Sequence, residues 1–138
     1  MGPLVSRSAA RRNRVGMPGT LWLHEFGSQL WSAFGHAPYL VGSVLAQMRG
    51  EDVVPNDVDV RVILTDEDYD AWGLGDPEHP HENSKWVSLV LAYSTLGEKM
   101  TGLHIDFQIQ QQTHANATFP KGDRSAIGFV PLRLIHHP

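Results

Sequence analysis

Two stretches of the chain alternate strictly between apolar and polar residues. From Asp57 to Leu64, Val58, Val60 and Val62 fall on one side, and Asp57, Asp59 and Arg61 on the other. Successive strand side chains point to opposite faces, so this is a strand with one core face and one charged face. From Leu103 to Gln111, Leu103, Ile105, Phe107 and Ile109 alternate in the same way with His104, Asp106, Gln108 and Gln110. A shorter apolar run, Tyr39-Leu40-Val41, reads as a buried strand, and Phe129 to Ile135 as a last short one.

Between these runs the period changes from two to three and four. After Pro18-Gly19, Leu23, Phe26, Leu30 and Phe34 share one helix face, and Gly35 ends that helix. Trp86, Leu89, Val90, Tyr93 and Met100 form a second stripe, closed by Thr101-Gly102. Thr65 is placed to cap a short acidic helix from Asp66 to about Trp72. Val44 to Arg49 reads as a helical turn, and Gly50–Asn56, Gly73–Asn83 and residues 113–126 read as loops. Helices alternating with short strands predict an α/β (α+β) fold, a small mixed sheet with helices packed against it.

A chain of 138 residues suits one core. Arg7, Arg11, Arg12 and Arg14 lie in the first fourteen residues, which contain no acid. We expect residues 1–16 to be a flexible basic arm and residues 17–138 a single domain. The net charge of −4 leaves −8 on the body once those four arginines are set aside, which excludes a broadly basic nucleic-acid groove there. The arm lacks the apolar stretch of a secretory signal. The absence of cysteine excludes disulfides, thiolate metal sites and a cysteine nucleophile, and fits a cytoplasmic protein. No apolar run is long enough for a membrane-spanning helix.

The charged strand face carries the chemistry. Asp57 and Asp59 project from one strand and Asp106 from another, all away from the core. Three carboxylates on one surface repel each other unless cations are present. Oxygen ligands of this kind suit Mg²⁺ or Mn²⁺, which keep waters and bind through carboxylates and substrate phosphates. Ahead of the first acids stands Gly42-Ser43. Glycine lets backbone approach a ligand, the following helical turn presents free N–H groups, and the serine hydroxyl adds a donor.

Tyr39-Leu40-Val41-Gly42-Ser43, thirteen further residues, then Asp57-Val58-Asp59-Val60 resembles the signature of the DNA polymerase beta-like nucleotidyltransferase superfamily, in its minimal single-domain type. Ile105-Asp106-Phe107 is similar to the element that carries that superfamily's third acid, and the match spans about residues 20–111. The resemblance implies that Gly42 and Ser43 hold the triphosphate of a nucleoside triphosphate such as ATP. It implies that Asp57 and Asp59 bind two metal ions, with Asp106 holding the catalytic one and favouring deprotonation of an acceptor hydroxyl. A nucleoside monophosphate would pass to a hydroxyl or phosphate on a protein, an RNA end or a small molecule, releasing pyrophosphate.

Other polar residues leave alternatives open. Arg61 either neutralises phosphate or pairs with a carboxylate of its own face. Lys85 and Lys99 either reach a triphosphate or are plain surface. His104 shares the Asp106 face and either orients that acid, binds metal or has no role. His79, His81, His136 and His137 lack zinc-motif spacing. Two further functions compete with nucleotide transfer. One is a weak or inactive module that binds nucleotide or a partner protein, as in an antitoxin. The other is metal-dependent phosphodiester hydrolysis, which the Gly-Ser element fits less well.

Overall fold

The computed structural model describes residues 17–42, 50, 57–119 and 122–128. The basic arm, Ser43, the turn at Val44–Arg49, nearly all of the following loop and the strand expected at Phe129–Ile135 lie outside them. The first helix, α1, runs Met17–Phe34, and Gly35 ends it by donating its N–H to Trp31 O at φ +73°. Strands β1 (Pro38–Val41) and β2 (Val58–Leu64) follow. The acidic helix α2 spans Asp66–Ala71, with the Thr65 hydroxyl accepting from the Asp68 N–H as its cap. After a 3₁₀ turn at Pro80–Glu82, Asn83 caps the long helix α3 (Ser84–Thr101) by accepting from the Trp86 N–H. Gly102, at φ +71°, turns the chain into β3 (Ile105–Gln111).

With the short strand β4 (Ser125–Ala126), the sheet order is β3-β2-β1-β4, with β2 and β3 parallel and the other two pairings antiparallel. The helices pack on the apolar face, forming the mixed α/β architecture that the sequence patterning predicts. Leu23, Phe26, Leu30 and Phe34 of α1 meet Leu40, Val58, Val60, Val62, Leu64, Ile105, Phe107 and Ile109 of the sheet. Fully burying each such side chain stabilises the fold by about 1.5–3 kcal/mol. Phe34 anchors an aromatic cluster with Trp72, Tyr93 and Phe107, at ring separations of 4.9, 5.2 and 6.0 Å. The buried Trp86 indole N–H donates to Ile109 O at 2.9 Å, which ties α3 to β3.

Residues 113–126 are not simply a loop. They contain helix α4 (Gln112–Thr118) and the two-residue strand β4 (Ser125–Ala126), which pairs with β1 through Leu40↔Ser125 and Tyr39↔Ala126. Helix α4 has no apolar stripe, and Ala115 is its one buried residue. Its start is held instead by Asp66, whose carboxylate accepts from the Thr113 N–H and hydroxyl. Because β3 and β4 occupy opposite edges, the chain between them must cross the sheet. No helix among the described residues is long and apolar enough to span a membrane.

Candidate metal and nucleotide site

Parallel pairing in register sets Asp59 directly beside Asp106, while the antiparallel partner strand sets Val41 opposite Asp59. Gly42 therefore lies over the Asp59 carboxylate. It holds φ +71°, and a Cβ there would meet Asp59 Oδ2 at 2.4 Å. Only a residue without a side chain fits this backbone and this neighbour together.

Arg61 is the fixed cation of the site. Its side chain is only 12% exposed, and one guanidinium nitrogen donates to Asp106 O at 2.6 Å and to Val60 O at 3.0 Å. The other donates to Asp106 Oδ2 at 3.3 Å and lies 3.7 Å from Asp59 Oδ1. Of the two readings left open for Arg61, the carboxylate pairing is the one in place. Burial pushes the Asp59 carboxyl above its ordinary range. Arg61 opposes that rise, while the Asp106 charge, a hydrogen bond between the two carboxyls and the Asp57 charge add to it.

Asp57 is exposed one residue before β2, not within the strand as its alternation suggested, and acts on Asp59 through its charge. The three acids do not close into a compact set. Among the described residues, the group with three donor atoms mutually within 4.8 Å is Asp76, Glu78 and His79, all exposed in the loop before α3. In that loop His79 Nδ1 sits 2.9 Å from Asp76 Oδ2, so internal pairing accounts for the cluster.

The remaining candidates lie elsewhere. His104 Nδ1 is 3.6 Å from Glu98 of α3, so the imidazole pairs with the helix, and the His104 carbonyl accepts the Val58 N–H. His104 and Lys99 line a separate depression of about 310 Å³ at the end of α3. Lys85 places its ammonium 5.6 Å from the Trp72 ring centroid.

A cleft of about 610 Å³ opens on the polar sheet face. Gly42, Asp59 and Arg61 line one part of it, and Gln108, Gln110, Phe119 and Arg124 another. Phe119 and residues 122–124 thus border the cleft on the polar face, and Arg124 is braced by donating to Asn116 Oδ1 at 3.1 Å. Reading the alternation alone placed both glutamines on this face but left Phe119 unremarked. Its signal would have been a lone aromatic in a polar stretch. Comparison with protein-family models, with curated proteins and with solved structures found no match for the chain.

Proposed function

We propose that this protein is a metal-dependent nucleotidyltransferase of the DNA polymerase beta-like type. It would move a nucleoside monophosphate from a nucleoside triphosphate to an acceptor hydroxyl or phosphate and release pyrophosphate. The observation that carries the reading is the register of Asp59 beside Asp106, with the Gly42 backbone over the Asp59 carboxylate in one cleft.

The donor set fits a divalent cation. Asp57, Asp59 and Asp106 bring three negative charges and Arg61 returns one positive charge, so the ionised group is short by two. All the donors are hard carboxylate oxygens. Asp57, Asp59 and Asp106 would hold Mg²⁺ or Mn²⁺, which when bound offsets charge on the transferring phosphoryl group.

The chain's own residues supply position. The Gly42 backbone approaches closely enough to cradle phosphate, with Ser43 next to it in sequence. Arg61 fixes the Asp106 backbone and carboxylate, which sets the direction of the acid. The acceptor oxygen bonds to the α-phosphorus as the bond to pyrophosphate breaks, and the acceptor proton leaves to a carboxylate of the site. Catalysis of this kind rests on orientation and preorganised charge.

Two observations favour a second reading, a nucleotide- or partner-binding module with little turnover. The Arg61 guanidinium is already committed to Asp106, and the three carboxylates are not gathered tightly. The experiment is thermal unfolding of wild type and an Asp57→Asn/Asp59→Asn variant with Mg²⁺ and each nucleoside triphosphate, alongside transfer of label from α-labelled nucleotide. A ligand at a hundredfold excess over Kd stabilises the folded state by about 2.7 kcal/mol. We expect a shift that needs both metal and nucleotide and is absent in the variant. Binding without label transfer favours a nucleotide-binding module, and no shift in wild type refutes nucleotide transfer and leaves the partner-binding module.

A further inference from the structure

Gly42, Asp59 and Arg61 line only part of the cleft. On its floor, beyond Arg61, Gln108 and Gln110 stand two residues apart on the polar face of β3. Gln108 is paired in register with Arg61, and Gln110 with Ile63. Neither glutamine amide holds a hydrogen bond to another described residue, and neither is sealed from solvent. Phe119, with 53% of its surface exposed, lines the same cleft.

Among the described residues, nothing in the packing explains that exposure. Three other large apolar residues, Leu21, Trp22 and Leu91, are similarly exposed, but they lie on the helices and not in the cleft. The Phe119 backbone is held on both sides. Its N–H donates to Ala115 O at 2.9 Å, and its carbonyl accepts from the Gly122 N–H at 3.1 Å. A ring fixed at its root, lining the same cleft as two open amides, matches what a flat heteroaromatic ligand needs. The ring supplies a stacking surface and the amides supply paired donors and acceptors for the ligand's edge. The volume also suits a nucleotide-sized ligand, since small-molecule pockets run from about 300 to 1,000 Å³.

We propose that Phe119, Gln108 and Gln110 form the nucleobase subsite. The base stacks on Phe119 and its hydrogen-bonding edge is read by the glutamine amides, while the phosphates lie towards Gly42 and Asp59. This rests on the nucleotide reading above and extends it to residues that the acids do not explain. Base selection then belongs to the polar end of β3 and the turn after α4.

Inorganic tripolyphosphate separates the two claims, because it carries the phosphates without a base. With Mg²⁺ present, affinities for tripolyphosphate and for the four ribonucleoside triphosphates are measured on wild type, Phe119→Ala, Phe119→Tyr and Gln108→Leu/Gln110→Leu. We expect wild type to bind at least one nucleoside triphosphate more tightly than tripolyphosphate. Phe119→Ala should weaken nucleotide binding about tenfold or more, the scale of losing one stacking partner. It should leave tripolyphosphate binding unchanged, and Phe119→Tyr should restore the nucleotide. The double glutamine variant should flatten the ranking among the four bases. Phe119 is exposed, so its loss does not threaten folding, and unfolding curves check this directly. Tripolyphosphate binding with no added affinity from any base, or nucleotide binding by Phe119→Ala equal to wild type, overturns the subsite while leaving the phosphate and metal reading intact. Absence of all binding by wild type overturns both.

Discussion

Replacing Gly42 with alanine perturbs the site through two separable effects. The residue sits at φ +71°, where an L side chain costs about 1–2 kcal/mol. The new Cβ would also lie 2.4 Å from Asp59 Oδ2, so the carboxylate must withdraw by about 1 Å to reach ordinary van der Waals separation. Turning Asp59 off its rotamer to do so costs about 0.5–1.5 kcal/mol. The sum is a loss of about 1.5–3.5 kcal/mol, or a fall in Tm of roughly 6–14 °C for a chain of this size. Gly35 is an internal control, because it has φ +73° and nothing within 4 Å of its would-be Cβ. Gly35→Ala therefore reports the backbone effect alone. Urea unfolding of both variants, repeated for Gly42→Ala in an Asp59→Ala background, isolates the contact with the carboxylate. We expect Gly42→Ala to lose more stability than Gly35→Ala and the excess to vanish without the Asp59 side chain. An equal loss at both glycines, or a loss at Gly42 indifferent to Asp59, refutes the close approach of backbone to carboxylate.

Two further outcomes follow from the same packing and charges. The Asp59 carboxyl holds its proton more tightly when folded than unfolded, chiefly through burial. The stability it contributes is thus fully present below the ordinary aspartate pKa and lost as pH rises through the folded value. In metal-free buffer Asp59→Asn should lose that decline and become more stable relative to wild type as pH rises, and a wild type that gains on the variant over this range contradicts the assignment. Gly97→Ala should destabilise despite better helix propensity. Its Cβ would meet the Phe26 ring at 2.8 and 2.9 Å and Ile105 Cγ1 at 3.0 Å, and overpacking of about 1–3 kcal/mol outweighs a helix gain of about 1 kcal/mol. Calorimetry of the single variant, and of Gly97→Ala with Phe26→Leu, checks this by whether the smaller side chain recovers the loss.

Much of the framework was legible before any coordinates, because the core obeys simple periods. The alternation at Val58–Leu64 and Ile105–Gln111 and the stripe Leu23, Phe26, Leu30 and Phe34 all proved to be core positions. The sequence also placed Asp59 and Asp106 on the same sheet face. It could not show that they are side by side, because register between strands so far apart in the chain is set by tertiary packing. The engagement of Arg61 with the Asp106 backbone depends on that same register. Helix α4 escaped notice because polar Gln112–Thr118 has no apolar period, and its start is held by Asp66 from another element. The approach of His104 to Glu98 was not legible either, because it depends on how the end of α3 meets the start of β3.

The parallel pairing of β2 with β3 has a consequence for how the chain acquires its shape. These strands are joined by α2, the 3₁₀ turn and α3, so Asp59 meets Asp106 only after that whole crossover has docked. Closing so long a loop is slow compared with forming hairpins such as a β1–β2 pair. The step also brings two carboxylates together, one of them partly desolvated. The acids thus oppose the late event that assembles them, and a counter-ion that relieves them would act as a folding chaperone for its own site.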